Sequence, residues 1–547
     1  MESTLNKNSL RSISNLQFLI VEDSTTSAML IRQQLISLGS DYDRIVIVER
    51  YQDAVKIIES HKFDILIVDY HLEQYLTGYE LAMLLYRNRL ITDSCGVLFV
   101  SGDSSQETVL TALSGKVRHY ITKPIATNNL KNKILTICSE NNAIAQFNHY
   151  LKSHSNATAS LFLDQVTHSG HVITLESILI DFLMSRESWQ ILQEYLNLSQ
   201  TTMNTAKVCA LAHLDCINND WPEAIHRLHA FIDENPLCQK AMDCLAMTYS
   251  EANQTSNAQF WAMKVFELTP SIGDRALRAS QYTAQRREAE KLIKIGSSYA
   301  NHLSVVDSHW FSFITHHFYD VEYVYLNTQN IAAKTALVNH VNTFVVIASK
   351  KLLGKRVTSL HALKQLFQCH ILIHEGNDEL AHKKLLAGLS PYYDELFTCP
   401  TTLLTEFLPA LLYFGELEIY RCLVAVIATR NHSFNPHYLP KRLFRLETDD
   451  ESQDFSPFSL ENTLLDVNEY QTMIKRHPHA SESKIKYLHS TYVQQQGDRN
   501  TIVRYLTELD TLDLPPLWQH WVILAKQHKF STPPPAPFIL TKERSTS

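Results

Sequence analysis

The sequence predicts two architectures joined end to end: an α/β doubly wound five-stranded parallel sheet, then an all-α helical-repeat superhelix. Three observations carry this. Five short apolar runs alternate with amphipathic stretches up to residue 140. Beyond that point the strand pattern stops and nearly every segment reads at helical period. Within the second part, small residues and prolines recur 34 residues apart. A chain of 547 residues is too long for one core. Only 13 glycines in that length favours helices over glycine-rich loops.

The elements follow in order. Gln17-Phe18-Leu19-Ile20-Val21 is the first apolar run and ends in Glu22-Asp23. Met29, Leu30, Leu35 and Leu38 are spaced as one helical face, stopped at Gly39. The second strand is 45–48, with a helix over 54–58. The third is 63–68, ending at Asp69, with a helix over 79–86. The fourth is 97–100, ending at Ser101, with a helix over 108–113. The fifth is His119-Tyr120-Ile121, followed by Lys123-Pro124 and a helix over 128–137. Strands this uniformly apolar are buried on both faces, so the sheet is parallel and covered by helices.

In such sheets the ligand crevice lies outside the carboxyl ends of the strands. Glu22, Asp23, Asp69, Ser101 and Lys123 all fall at those ends. Three carboxylates in one crevice repel each other unless a hard cation is bound, and Mg²⁺ with oxygen ligands suits them. A lysine adds positive charge and a hydroxyl can donate to a phosphoryl oxygen. That inventory fits phosphoryl transfer onto a carboxylate, where positioning and charge neutralisation do most of the catalysis.

Residues 15–140 resemble the CheY-like receiver family of response regulators. The resemblance is carried by Leu19-Ile20-Val21-Glu22-Asp23-Ser24, Leu66-Ile67-Val68-Asp69-Tyr70, Val100-Ser101-Gly102 and Tyr120-Ile121-Thr122-Lys123-Pro124. It implies that Asp69 accepts phosphate from a sensor histidine kinase. It also implies that Glu22, Asp23, Asp69 and the His71 carbonyl hold Mg²⁺, and that Ser101 and Lys123 grip the phosphoryl oxygens. Tyr120 is the residue expected to turn inward on activation, and Pro124 the one expected to follow a cis bond. The chain departs from the family in one loop. Glu73 stands where a proline is usual, and Gly78 lies nine residues after Asp69, one more than is common. By the family, His71 and Asp103 occupy positions that tune hydrolysis of the acyl phosphate.

The organisation expected beyond the arm at 1–14 and the receiver is a helical connector over 141–203, repeats over 204–530 and a Pro-rich tail over 531–547. Ala212 and Ala246 are 34 residues apart, as are Ala224 and Ala258, and Pro236 and Pro270. Leu245, Ala246 and Tyr249 supply the knobs of a first helix, and Trp221-Pro222 starts a second. Alanines where helices approach and a proline ending each pair resemble the tetratricopeptide repeat, most clearly over 204–270. Ser280 keeps the small position of a third copy, whose alanine position is Leu292. Degenerate pairs are expected around Gly376, Gly415 and Gly497, because one pair cannot bury its own apolar face. The acidic stretch 448–454 reads as a solvated loop, and Pro533-Pro534-Pro535 as an extended tail.

A net charge of −8 with no Lys/Arg-dense block gives no nucleic-acid footprint. No uninterrupted apolar run approaches the roughly 20 residues that span a bilayer, so no membrane insertion is expected. Nine scattered cysteines without a C-x-x-C pair, and an N-terminus unlike a secretory signal, predict a cytoplasmic protein with reduced thiols. No Gly-Gly-Asp-Glu-Phe, Glu-Ala-Leu or Walker-type string is present, so no enzyme is expected. His316-His317, Cys369-His370 with His374, and His477-Pro478-His479 lack metal-ligand spacing and read as packing histidines. The function expected is a phosphorylation-gated adaptor whose repeats bind a protein partner, a kinase or a rival regulator. The alternative is a constitutive inhibitor or phosphate sink of a sensor kinase; an enzyme with an unrecognised output is the third. A receiver followed by helical repeats without a DNA-binding output resembles the VieB type of auxiliary response regulator.

Overall fold

The structure is a computed structural model, and it describes residues 13–72, 76–92, 95–103, 105–113, 118–304, 309–430, 467–495, 497–527 and 532–539. Two compact units divide the chain, Met1–Phe313 and Ile314–Ser547.

The first unit opens with β1 (Phe18–Val21), α1 (Thr25–Ser37), β2 (Ile45–Val48), α2 (Tyr51–Ser60) and β3 (Ile65–Asp69). It continues with α3 (Gly78–Arg87), β4 (Gly96–Ser101), α4 (Gln106–Leu113), β5 (His119–Thr122) and α5 (Thr127–Ser153). The five strands form one sheet in the order β2-β1-β3-β4-β5, and every pairing is parallel. β1, β3 and β4 are buried at every position, as their Val/Ile/Leu content requires of strands covered on both sides. Alternate residues serve two cores. Phe18, Ile20, Ile67 and Leu98 meet Ile31 and Leu35 of α1 and Leu130 and Ile134 of α5. Leu19, Val21, Val68 and Phe99 meet Ala54 of α2 and Leu81 and Leu85 of α3.

Two expectations are corrected here. The buried face of α1 is Ala28, Ile31 and Leu35, while Met29 and Leu30 are about half exposed. The face runs at i, i+3, i+7 from Ala28, and its small first member hid it among larger neighbours. The last receiver helix does not stop near 137. α5 runs unbroken to Ser153, so residue 140 lies inside a helix.

The stretch expected as a connector has a core of its own. α6 (Ala159–Thr167), α7 (Val172–Ser185) and α8 (Trp189–Leu198) enclose Phe162, Leu179 and Tyr195. Buried Glu176 accepts hydrogen bonds from Tyr195, Ser199, Thr201 and Asn204, which close the α7–α8 pair onto the next. The pairs that follow are regular: α9 (Thr205–Ile217) with α10 (Trp221–Glu234), α11 (Gln239–Glu251) with α12 (Thr255–Leu268), and α13 (Gly273–Gln285) with α14 (Ala289–Asn301). Equivalent helices begin 34 residues apart through three copies. Ala212, Ala224, Ala246 and Ala258 are buried where helices approach, with Leu245 and Tyr249 beside them. Pro236 and Pro270 each follow the end of a second helix. The turn inside each pair places Asn219, Asn253 or Arg287 in the left-handed region, at φ 61°, 58° and 57°.

α15 (Trp310–Asn327) crosses into the second unit, which holds α16 (Ile331–Ser349), α17 (Lys355–His374), α18 (Asp378–Leu389), α19 (Thr401–Phe414) and α20 (Leu417–Arg430). α21 (Val467–Arg476), α22 (Ser481–Val493), α23 (Arg499–Asp510) and α24 (Pro516–Lys526) complete it. Gly376 and Gly415 make left-handed turns between α17 and α18 and between α19 and α20. Histidines do packing work in this unit. His317 and His340 meet at 3.0 Å, His370 and His374 both face buried Glu322, and His382 bonds Glu416 at 2.8 Å. α16 is 19 residues long and apolar enough to cross a membrane by length and composition, although no uninterrupted apolar run in the sequence suggested it. The Pro-rich segment is not extended away from the protein over 532–539. Trp518 and Trp521 donate indole hydrogen bonds to the Pro535 and Thr532 carbonyls, and Phe538 is buried. The stretch 448–454 and Glu73 lie outside the described residues.

Candidate phosphoacceptor site

The site is built at the carboxyl ends of three central strands and β5. Glu22 follows β1, and its N–H is tied to the Val48 carbonyl at 3.1 Å. Asp69 ends β3 and Ser101 ends β4; both side chains are buried. The Lys123 N–H donates to the Ser101 carbonyl at 2.8 Å, and the Lys123–Pro124 bond is cis. The lysine head lies in the crevice. Its Nζ donates to Glu22 Oε2 at 2.8 Å, to Glu22 Oε1 at 3.0 Å and to Asp69 Oδ2 at 3.2 Å.

Charge in the crevice is unbalanced. Burial pushes the Glu22 carboxyl up, opposed by the Lys123 hydrogen bond and assisted by the nearby charge of Asp69. Burial also works against the Lys123 charge, yet its bonds to Glu22 and the field of both carboxylates outweigh this and raise its pKa. The ammonium is therefore firmly held while one carboxylate still lacks full compensation.

A divalent cation fits that deficit. Ligand oxygens of Glu22, Asp23 and Asp69 lie within 4.8 Å of one another. An octahedral Mg²⁺ with bonds of about 2.1 Å sets its ligands roughly 3 to 4.2 Å apart, so sub-ångström side-chain shifts suffice. Asp23 is exposed, which leaves room for the waters this ion retains. Among the described residues this is the group of carboxylates, histidines or cysteines with that convergence.

The rim is organised by Asp103. Its carboxylate accepts from Thr108 Oγ1 at 2.7 Å, from the Ser105 N–H at 2.7 Å and from Ser105 Oγ at 3.1 Å. His71 Nε2 lies 3.3 Å away across the mouth. The Thr108 bond, then the Ser105 backbone bond, hold the Asp103 carboxyl down to about 2. Ser101 Oγ accepts from the Asp103 N–H at 3.0 Å. Tyr120, expected to turn inward on activation, already faces the site, with its hydroxyl donating to the Asp103 carbonyl.

The lengthened loop is pinned at both ends. Leu72 and Leu76 are buried in the core beside α3, and the Gly78 N–H donates to the Tyr70 carbonyl at 2.7 Å. Thr77 and Glu80 form a reciprocal cap on α3. A Cβ on Gly78 would collide with the Asp69 carbonyl, so glycine is required by close approach. The sequence flagged Gly78 only by its spacing. It gave no sign of the Thr108 and Ser105 hydrogen bonds to Asp103.

Comparison with known proteins agrees with this geometry. A family model described as the response regulator receiver domain matches residues 18–135. Chemotaxis protein CheY homologues of two Campylobacter jejuni subsp. jejuni strains, 81-176 and 81116, are each 27% identical over 120 residues, covering 22% of this chain and 89% of theirs. A solved chain described as a yeast Spc42 trimeric coiled coil fused to another structure covers 26% of this chain and 86% of its own, at 19% identity and a TM-score of 0.23, too low to carry an argument. The parallel sheet, the acidic crevice with its lysine and the family match converge: residues 18–135 are a response regulator receiver domain, followed in the same chain by a helical region.

Proposed function

We propose that this chain is a response-regulator-type signalling protein, phosphorylated on Asp69 by a sensor histidine kinase, whose tetratricopeptide-like helix pairs engage a protein partner. The observation that carries the reading is the Lys123 ammonium set between Glu22 and Asp69 in a buried crevice.

The chain's own residues perform most of the step. Asp69 is held at the strand end as the nucleophilic carboxylate, with Lys123 fixing one oxygen and leaving the other for the phosphorus. Lys123 and the Ser101 hydroxyl are placed for the incoming phosphoryl oxygens, as donors already set where charge arrives. Mg²⁺, held by Glu22, Asp23, Asp69 and the His71 carbonyl, would neutralise phosphoryl charge. His71 and Asp103 stand at the mouth, where an attacking water would approach.

The helical region supplies the output. Three copies of a 34-residue helix pair, the first two with alanines at both crossings, support a repeat surface, and α4 of the receiver lies beside α12 within the same unit. The partner would be a kinase or another regulator, as in the VieB-type arrangement. The second reading is a constitutive inhibitor or phosphate sink of a sensor kinase, independent of the chain's own phosphorylation.

The experiment is intact mass of the full chain with acetyl phosphate and Mg²⁺. A gain of about 80 Da, absent from Asp69→Asn, supports the input. No gain would overturn it. A partner effect that Asp69→Asn leaves intact would favour the constitutive reading.

A further inference from the structure

β5 presents its residues alternately to two faces of the sheet. Tyr120 faces the phosphoacceptor side, against the core that contains Phe99, with its hydroxyl on the Asp103 carbonyl. His119, one residue earlier, faces α5. Its Nε2 lies 2.9 Å from Glu140 Oε2, and both side chains are nearly buried. His119 thus ties β5, the strand that carries Tyr120, directly to Glu140.

Glu140 looks the other way as well. Its Oε1 accepts a hydrogen bond of 2.8 Å from Thr174 Oγ1 of α7, the first helix of the first pair. Beside it, Ser139 Oγ and His171 Nε2 meet at 2.8 Å at the start of α7. Arg118 Nε, 3.9 Å from Glu140 Oε1, is the remaining cation. The carboxyl is held down to about 2, chiefly by the His119 hydrogen bond, with Thr174, His119 and Arg118 adding and burial opposing. A buried carboxylate whose two oxygens are served by donors on two elements resists losing either, because a buried charge left short of a hydrogen bond is costly. Residue 140 also lies beyond the receiver match at 18–135, on the part of α5 that continues as unbroken helix.

We propose that Glu140 is the joint that transmits the state of Asp69 to the helical region, through β5 and His119 on one side and Thr174 of α7 on the other. This rests on the phosphoacceptor reading above. It adds the route, and it makes Thr174 a positioning residue with no part in the phosphoryl chemistry.

The test uses the full chain with acetyl phosphate and Mg²⁺, following hydrogen exchange of α7 and intact mass in the same samples. Coupling free energies between sites amount to changes of about 5-fold or more, so exchange in Val172–Ser185 should change by at least about that factor when Asp69 is phosphorylated. Thr174→Val removes the hydroxyl at a half-buried position and should abolish that response without lowering the phosphorylated fraction. Thr174→Ser restores the hydroxyl and should restore the response. A mass gain with unchanged α7 exchange in the native chain overturns the joint and leaves the phosphoacceptor reading standing. So does a Thr174→Val variant that responds like the native chain. No mass gain in the native chain overturns both, and the mass alone identifies that case.

Discussion

The backbone carbonyl of Asp69 occupies the space that a side chain on Gly78 would need. The residue that would carry the phosphoryl group and the glycine that begins α3 are thus built against each other. Gly78→Ala must displace either the end of β3 or the start of α3. We expect it to cost at least about 2 kcal/mol, in the range of overpacked buried sites. Thermal unfolding of the full chain measures the cost, and a slower mass gain with acetyl phosphate reports the displaced carboxylate. An unchanged midpoint would show that the loop relaxes freely.

Lys123 is the sole cation within 4 Å of Glu22 and Asp69 among the described residues. Lys123→Ala should slow phosphorylation of Asp69 by about 100-fold, the scale for removing one preorganised donor. Chelation of Mg²⁺ with EDTA should stop it in the native chain. The readout for both is the initial rate of the mass gain.

Turns inside the helix pairs offer a contrast. Asn219 and Asn253 tolerate the left-handed region, whereas Arg287 has no short polar side chain to ease it. Arg287→Gly should stabilise the chain by up to about 1 kcal/mol, and Asn253→Gly by less. Ala258→Leu, at a fully buried crossing, should destabilise by about 1 to 3 kcal/mol. Urea midpoints rank the three.

His317 and His340 meet inside the second unit, both nearly buried. Burial pushes both pKa values down; the neighbouring His340 lowers His317 further, and His340 reaches about 4 against an ordinary 6.5. A folded pKa below the unfolded one means that the unfolded chain takes up the proton first as pH falls. The stability this pair supports is full above about 6.5 and is lost as pH falls toward 4, at up to about 1.4 kcal/mol per pH unit for each histidine. Urea midpoints between pH 7.5 and 5 should fall less steeply in His340→Gln than in the native chain.

The sheet and its crevice were legible because doubly buried strands leave unbroken apolar runs, each ending in the polar residue that serves the site. The order from Glu22 through Asp69 and Ser101 to Lys123 needed no long-range information. The 34-residue repeat was legible too, since close helix crossings demand alanine at Ala212 and Ala246. What failed was what depends on partners distant in sequence. Nothing around Glu140 distinguishes it from a solvated helix residue until His119 and Thr174 are brought to it. Helix α5 hid its length behind Asn141-Asn142, poor helix formers held helical by burial of Ile144 and Phe147. The Asn219 and Asn253 turns carried a usable signal, an asparagine at the same offset in the first two copies.

Because α5 passes from the receiver into the helical region without a break, angle along it is conserved information. Inserting one residue between 135 and 140 would rotate everything downstream by about 100°, carrying Glu140 off His119 or α7 off Glu140. Seven inserted residues would return the phase to within about 20° while lengthening the rod by about 10 Å. Under the Glu140 joint proposed above, the one-residue insertion should uncouple α7 from the state of Asp69 and the seven-residue insertion should disturb it less.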